Sequence, residues 1–284
     1  MRIAVIGAAN IDIIAKSKAR ITQGDPNPAD VKLKAGGVGR NIAAMLAMRK
    51  VEVDFITAIG NDPFGNLLRE SCTSFGINTD AWIIKSNAST GVFLATQEND
   101  GQLHTGFIAS SATEAIRTAE LTKHKKIIKE ADLLIMDMNL SEKILSLAIE
   151  LREGYPIMVT AVSIANVPRI EGFLNKIDFL KMNRLEAEAL TGIKLDTKER
   201  VRQACNVIIS RGVKRAFITM GVAGVCVADS NTAIFVPAIP MVVKNTTGAG
   251  DAFSTGIAMN FEKDMRSQAE SGVKFAAEHL SRGK

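Results

Sequence analysis

The chain has 284 residues, 46% of them hydrophobic and 23% charged, with a net charge of +5. That is room for one large α/β domain or two small ones, in proportions ordinary for a folded soluble protein, with a core short of aromatics and so built from aliphatic residues and methionine. No Lys/Arg run carries interleaved aromatics, which argues against a nucleic acid polymer as partner and leaves the basic excess as a solvated surface or an attraction for an anionic substrate.

In chain order, IAVIG (3–7) reads as a buried strand. Residues 13–35 alternate apolar and polar positions and read as antiparallel strands of a small sheet standing off the main one. GRNIAAMLAMRK (39–50) has helical apolar spacing, and VDFITAIG (53–60) is a further strand. DPFGNLLRESCTSFG follows as a helix with Asp62 as its cap, Pro63 at its first position and Gly76 closing it. Residues 87–108 alternate again around the turn Asn99-Asp100-Gly101 and complete the small sheet. Then come DLLIMDMN (132–139), PIMVTAVS (156–163), DFLKMN (178–183) and RAFITMG (215–221), apolar strands separated by helical segments. This is the pattern of a parallel sheet covered on both faces. With no linker and no internal repeat, a single α/β domain over 1–284 with a small β lid is expected. In such sheets ligands sit beyond the carboxyl ends of the strands. Asn10, Asp12, Asp137, Asn139, Asn183, Glu186, Gly221 and Gly224 gather at those ends.

Four strings carry chemistry. In KAGGVGRNIA (34–43), Gly36 and Gly37 allow close backbone approach and Arg40 and Asn41 open a helix. With Asn10 and Asp12 these residues suit the vicinal hydroxyls of a polyol, although a strand–turn–helix corner with solvated polar residues reads equally well. In KMNRLEAEALTG (181–192), Asn183 and Glu186 form a capping box on local pattern, and Glu186 is also able to hold Mg²⁺ through water. ITMGVAGV (218–225) reads as strand, tight turn and strand, with Gly221 and Gly224 exposing backbone either to a nucleotide phosphate or to nothing. In NTTGAGD (245–251), two glycines and a following helix point successive N–H groups at one spot, an arrangement that stabilises charge on a transferring phosphoryl group. Asp251 beside them is placed to take the proton of an attacking hydroxyl. There is no Rossmann fingerprint and no P-loop. Cys72, Cys205 and Cys226 are odd in number and widely spaced, and His104, His124 and His279 lack metal-ligand spacing; a reducing cytosol fits. MRIAVIGAANID enters a strand without a signal-peptide pattern and no stretch reaches the apolar length of a membrane span, so a cytoplasmic location without a membrane partner is expected.

Together these strings resemble the PfkB or ribokinase-like family of carbohydrate and nucleoside kinases, whose two signatures correspond to GGVGRN and NTTGAGDAF with the N-x-x-E element between them. The resemblance runs in order over nearly the whole chain. Within the family it is most similar to the branch acting on pseudouridine, through IGAANIDI, NPADVKLKAGGVGRNIA, DMNLSE and KMNRLEAEALTGI, with Arg40, the Asp137-x-Asn139 element and Asn245. Ribokinases usually show G-G-K-G-A-N and an acidic residue near Asn139. The resemblance implies a ribokinase-like fold and transfer of phosphate from ATP to the 5′-hydroxyl of pseudouridine. Asp251 would be the base, and Gly248, Ala249 and Gly250 the anion hole. Asn10, Asp12, Gly36, Gly37, Asn41 and Asn139 would hold the substrate, with Arg40 nearby. Asn183, Thr219, Gly221 and Gly224 would border ATP, and Glu186 would serve Mg²⁺. A lid closing over the sugar would exclude water, and its strands offer a clasp for a homodimer. A kinase of another nucleoside or a pentose, or a nucleoside-binding regulatory protein of weak turnover, stay as alternatives. Three departures stand out: Thr160-Ala161 where the branch commonly reads Asp-Pro, an ending at FAAEHLSRGK before a tail that relatives often carry, and an uncharged Asn245 that leaves K⁺ dependence open.

Overall fold

The computed structural model describes residues 1–242 and 246–282. From the N-terminus, β1 (Arg2–Ile6), β2 (Asn10–Ser17) and β3 (Ala29–Gly36) lead into α1 (Val38–Ala47). Next come β4 (Glu52–Ile56), β5 (Ala58–Gly60), α2 (Pro63–Ser74), β6 (Ile83–Lys85), β7 (Gly91–Gln97) and β8 (Leu103–Ala109). Three short helices, α3 (Ser111–Glu114), α4 (Thr118–Thr122) and α5 (Lys125–Lys129), precede β9 (Leu133–Asp137), α6 (Glu142–Leu151) and β10 (Ile157–Thr160). A 3₁₀ segment, Ile164–Lys176, leads to β11 (Phe179–Asn183), α7 (Arg184–Thr191), α8 (Lys198–Ser210), β12 (Arg215–Thr219), β13 (Val225–Ala228) and β14 (Ala233–Val236). Helices α9 (Ala249–Ala258) and α10 (Met265–Arg282) end the described chain.

Eight strands form the central sheet in the order β14-β13-β12-β11-β10-β9-β1-β4. It is parallel from β4 to β12 and antiparallel at β13 and β14. The central strands are apolar without alternation because both faces are covered. Ala4, Ile6, Leu134 and Met136 point to one face, against Ile144, Leu145 and Ala148 of α6 and Ala204 and Ile208 of α8. Ile3, Val5, Leu133 and Ile135 point to the other, against Ile42 and Leu46 of α1 and Phe253 and Ile257 of α9. Each such aliphatic side chain, removed from water, contributes about 1.5–3 kcal/mol.

The single strand expected over 53–60 is split. The chain leaves the central sheet at buried Thr57, and β5 pairs in parallel with β6 in a separate two-stranded sheet. The two alternating segments do form a small sheet, in the order β3-β2-β7-β8. It begins at Asn10, three residues before the expected boundary, and β2 and β7 run parallel within it. Its register puts Gly36, Lys34, Asn10, Asp12, Gly91, Phe93 and Ile108 on one face. The opposite face carries Val31, Leu33, Leu94 and Phe107, all exposed.

Candidate active site

The central sheet changes direction at β1, whose neighbours are β4 on one side and β9 on the other. Loops leaving β1 and β9 therefore diverge and open a crevice. Asp137, at the end of β9, ties the crevice floor together. Its Oδ2 accepts from the N–H groups of Ala8 and Gly39, each at 2.8 Å, and its Oδ1 from Asn139 N–H at 2.9 Å. Burial pushes the Asp137 carboxyl up, against the pull of those three amides. Its place in the floor explains two glycines, since a Cβ on Gly7 would stand 2.3 Å from Asp137 Oδ2 and one on Gly39 2.9 Å from Gly7 Cα.

On one wall of the crevice stand the residues from β2, β3 and α1. Asn10 is 5% exposed, and its Oδ1 is buried without a hydrogen-bond partner. A buried acceptor left in that state costs about 1–3 kcal/mol, and a Cβ on Gly91 would stand 2.1 Å from it. Asp12 is half-buried; desolvation raises its pKa, opposed by the charges of Arg40 and Lys34. Protein neighbours account for both glycines of the Gly36-Gly37 pair. A Cβ on Gly36 would lie 2.2 Å from an Asp12 carboxylate oxygen, and Gly37, at φ 92°, would press one onto the Ala8 carbonyl at 2.4 Å. Asn139 is 8% exposed, and its carbonyl accepts from the Arg169 guanidinium together with those of Met138 and Leu140. Thr160 is buried opposite Asp137 in the β9–β10 register, Ala161 follows, and Val162 takes a positive φ of 68° at this strand end. A β-branched residue there is strained.

The opposite wall is the start of α9. Gly248 caps the helix in the left-handed region, φ 79°, and a Cβ there would meet His279 Nε2 at 2.7 Å. His279 in turn contacts the Thr247 carbonyl at 3.0 Å. Ala249 N–H is engaged by the Thr246 carbonyl at 3.2 Å. That removes one of the three amides expected in the anion hole. The N–H of Gly250, second residue of the helix, belongs to the set that a helix leaves without an internal acceptor. Asp251 lies in the same first turn, and its Oδ2 accepts from Asn41 Nδ2 at 2.8 Å. Desolvation pushes its pKa up to about 6, with the Asp137 charge adding to the rise and Asn41, Lys181 and His279 opposing it. The residue is half-buried. Asn245 lies outside the described residues.

Sequence reasoning missed Lys181. It is 7% exposed near the end of β11, and a Cβ added at Gly250 would stand 2.9 Å from its Nζ. A buried lysine is thus set beside Gly250 and within electrostatic reach of Asp251. The signal was a charged residue inside an otherwise apolar strand.

Beyond α9 two cavities flank the turn after β12. One of about 500 Å³ is lined by Thr219, Gly221, Gly224, Ala249 and Gly250 with the apolar side chains of Ile239, Phe253 and Leu280. The other, about 840 Å³, shares Thr219 and Gly221 and adds Asn183, Arg184 and Phe235. Gly221, at φ 59°, has open space where a Cβ would be, whereas a Cβ on Gly224 would strike the Val236 carbonyl at 2.1 Å. Asn183 and Glu186 form the capping box of α7: Asn183 Oδ1 accepts from Glu186 N–H at 2.9 Å, and Glu186 Oε2 from Asn183 N–H at 2.7 Å.

Comparisons with known proteins identify the family and the fold. Residues 1–282 match the description "pfkB family carbohydrate kinase". The chain is 33% identical to the pseudouridine kinase of Escherichia coli over 90% of its own length and 82% of that protein's. It is 28% identical to the guanosine-inosine kinase of Exiguobacterium acetylicum, covering 99% of this chain and 94% of that one. Among solved structures, the ribokinase of Arabidopsis thaliana complexed with ribose and ATP superposes with a TM-score of 0.86 at 23% identity, over 98% of this chain and 92% of that one. The protein belongs to the pfkB family of carbohydrate kinases.

Proposed function

We propose that the protein transfers the γ-phosphoryl group of ATP to the 5′-hydroxyl of pseudouridine. The observation that carries this reading is Asp251, oriented by Asn41 in the first turn of α9, next to Gly250 and Lys181. In the proposed step the acceptor hydroxyl gives its proton to Asp251, its oxygen bonds to the γ-phosphorus, and the bond from that phosphorus to the β,γ-bridging oxygen breaks to release ADP. The Gly250 amide, the helix terminus and Lys181 supply positive potential where charge spreads over the phosphoryl oxygens.

Asn10 and Asp12 are suited to the ribose hydroxyls, the first through its unpaired Oδ1. Asn41, Asn139, Gly36, Gly37 and Arg40 frame the same space. The apolar wall of the 500 Å³ cavity suits adenine, with Thr219, Gly221 and Gly224 along the phosphates. Among the described residues no three His, Cys, Asp or Glu side chains gather as a metal cage. Mg²⁺ keeps its waters and is held by phosphates and one or two carboxylates, and the carboxylate we assign to it is Glu186. When bound with the nucleotide, Mg²⁺ neutralises charge on the β- and γ-phosphates.

A nucleoside is favoured over a free pentose by the face of the small sheet that carries Asp12. In register with it stand Phe93 and Ile108, and the Phe93 ring lies over Gly106, whose added Cβ would be 3.3 Å away. An aromatic side chain beside a ribose site offers a base a face to stack on. The test is ADP release with pseudouridine, uridine, inosine, adenosine, ribose and fructose 6-phosphate. Highest kcat/KM with pseudouridine is expected; turnover of free sugars alone would overturn the nucleoside assignment.

A further inference from the structure

We infer that Arg40 is a positioning residue for Asp251, acting through the side-chain amide of Asn41; the inference rests on the reading of Asp251 as the base. Arg40 and Asn41 are consecutive at the start of α1, and the Arg40 guanidinium reaches back to the end of β3. One of its nitrogens, Nη2, donates to the Ala35 carbonyl at 2.6 Å and to Asn41 Oδ1. On the other side of the same amide, Asn41 Nδ2 donates to Asp251 Oδ2 at 2.8 Å. A relay results: β3 backbone to guanidinium, guanidinium to amide, amide to carboxylate.

The chemistry of the amide makes the relay directional. An asparagine side chain has one accepting end and one donating end, and a half-turn about its last bond exchanges them. With its oxygen toward Asp251, two acceptors would face each other, and the NH₂ would face a guanidinium that has only donors. Arg40 excludes that orientation. It therefore keeps a donor on the Asp251 oxygen and holds that carboxylate at one angle to the crevice. The remaining groups facing Asp251 are Lys181 on β11, Asp137 on β9 and His279 on α10, and the Arg40 charge also reaches it directly through space. None of these is a neutral hydrogen-bond donor fixed to the same oxygen, so the amide's contribution is separable from theirs.

The test is a double-mutant cycle with Arg40→Met, Asn41→Ala and the pair, reading kcat and kcat/KM from pH 5 to 9 with pseudouridine, or with inosine if that is turned over faster. Expected for Arg40→Met is an acid limb moved up by about one pH unit, so that kcat/KM below the limb falls about tenfold while the plateau falls less. Asn41→Ala should move the limb in the same direction, and Arg40→Met in the Asn41→Ala background should add clearly less than it does alone, the remainder being the direct effect of the Arg40 charge. If Arg40→Met does not fold, Arg40→Leu, which also lacks a donor, reads the same limb. An unmoved limb with a raised KM, or effects of the two substitutions that add, would overturn the inference and make Arg40 a direct substrate contact or a packing residue. Asp251→Asn measured in parallel separates the two levels. If it keeps wild-type kcat, the base assignment itself has failed; if it loses kcat while the Arg40 limb stays put, only the relay has.

Discussion

Asp251 shows how one carboxyl acquires a role from its surroundings. Desolvation lifts its pKa to about 6, while Asn41, Lys181 and His279 keep it from rising further. Above that pH the group is ionised and able to take a proton; below it the site is filled by a proton already. The rate should therefore be flat above the limb and fall about tenfold per pH unit below about 6, the behaviour of an essential base with that pKa. A kcat/KM profile flat down to pH 4.5 would contradict the burial argument. Asp251, Asn41, Asp12 and Asn10 could be nominated from the sequence because of the strings around them, although a corner of solvated polar residues explained the last three equally well. Lys181 could not, because its burial comes from the position of β11 between β10 and β12, a fact of sheet order. The direction of the Arg40 guanidinium was equally hidden: a side chain of that length reaches either wall, and the Ala35 carbonyl decides which.

At the scale of elements, the helix starts were the most readable features. Asp62 and Pro63 open α2 as expected, and Asp62 Oδ1 accepts from Gly65 N–H at 2.9 Å. The same carboxylate does a second job that no local pattern contains. It accepts from the Thr90 N–H at 2.8 Å and the Thr90 hydroxyl at 2.7 Å, tying α2 to the base of β7. Desolvation works against this carboxylate, yet the bonds from Thr90 and Gly65 outweigh it and hold its pKa below the usual range. Replacing it by alanine removes a cap and a cross-link between elements, a cost of about 2 kcal/mol at neutral pH. A lowered folded-state pKa means that this stability is present above the unfolded carboxyl's pKa and is lost as pH falls through the folded one. The urea midpoint of Asp62→Ala should thus lie below wild type at pH 7, and the gap should narrow in acid. Equal midpoints at pH 7 would refute the cross-link. The split of the 53–60 strand was illegible for a similar reason. Its residues carry no Gly, Pro or other turn signal before Gly60, and the pairing of Ala58–Gly60 with β6 is a tertiary contact that no local pattern contains.

For the whole molecule, the alternation of apolar strands and helical segments was enough to indicate a parallel sheet with two helical layers, and the observed fold has them. The two stretches of period-two alternation likewise marked the small sheet. What they could not show was its register, which places Phe93 and Ile108 in line with Asp12 and so bears on substrate class. The glycines teach the reverse lesson. Gly36, Gly37 and Gly224 looked like openings for a ligand, yet each is required by a neighbouring oxygen of the protein itself. Sequence located the crevice by its residue types, and tertiary packing decided which of them line it. The claim on which the functional account turns is that a carboxylate on α9 takes the proton of the acceptor while amides of the same helix receive the phosphoryl group. The direct measurement is Asp251→Asn, followed by calorimetry with the nucleoside and by steady-state turnover. Binding within about twofold of wild type and kcat lower by at least about a hundredfold are predicted, the scale of lost general-base catalysis. An Asp251→Asn enzyme that binds and turns over like wild type would contradict the account.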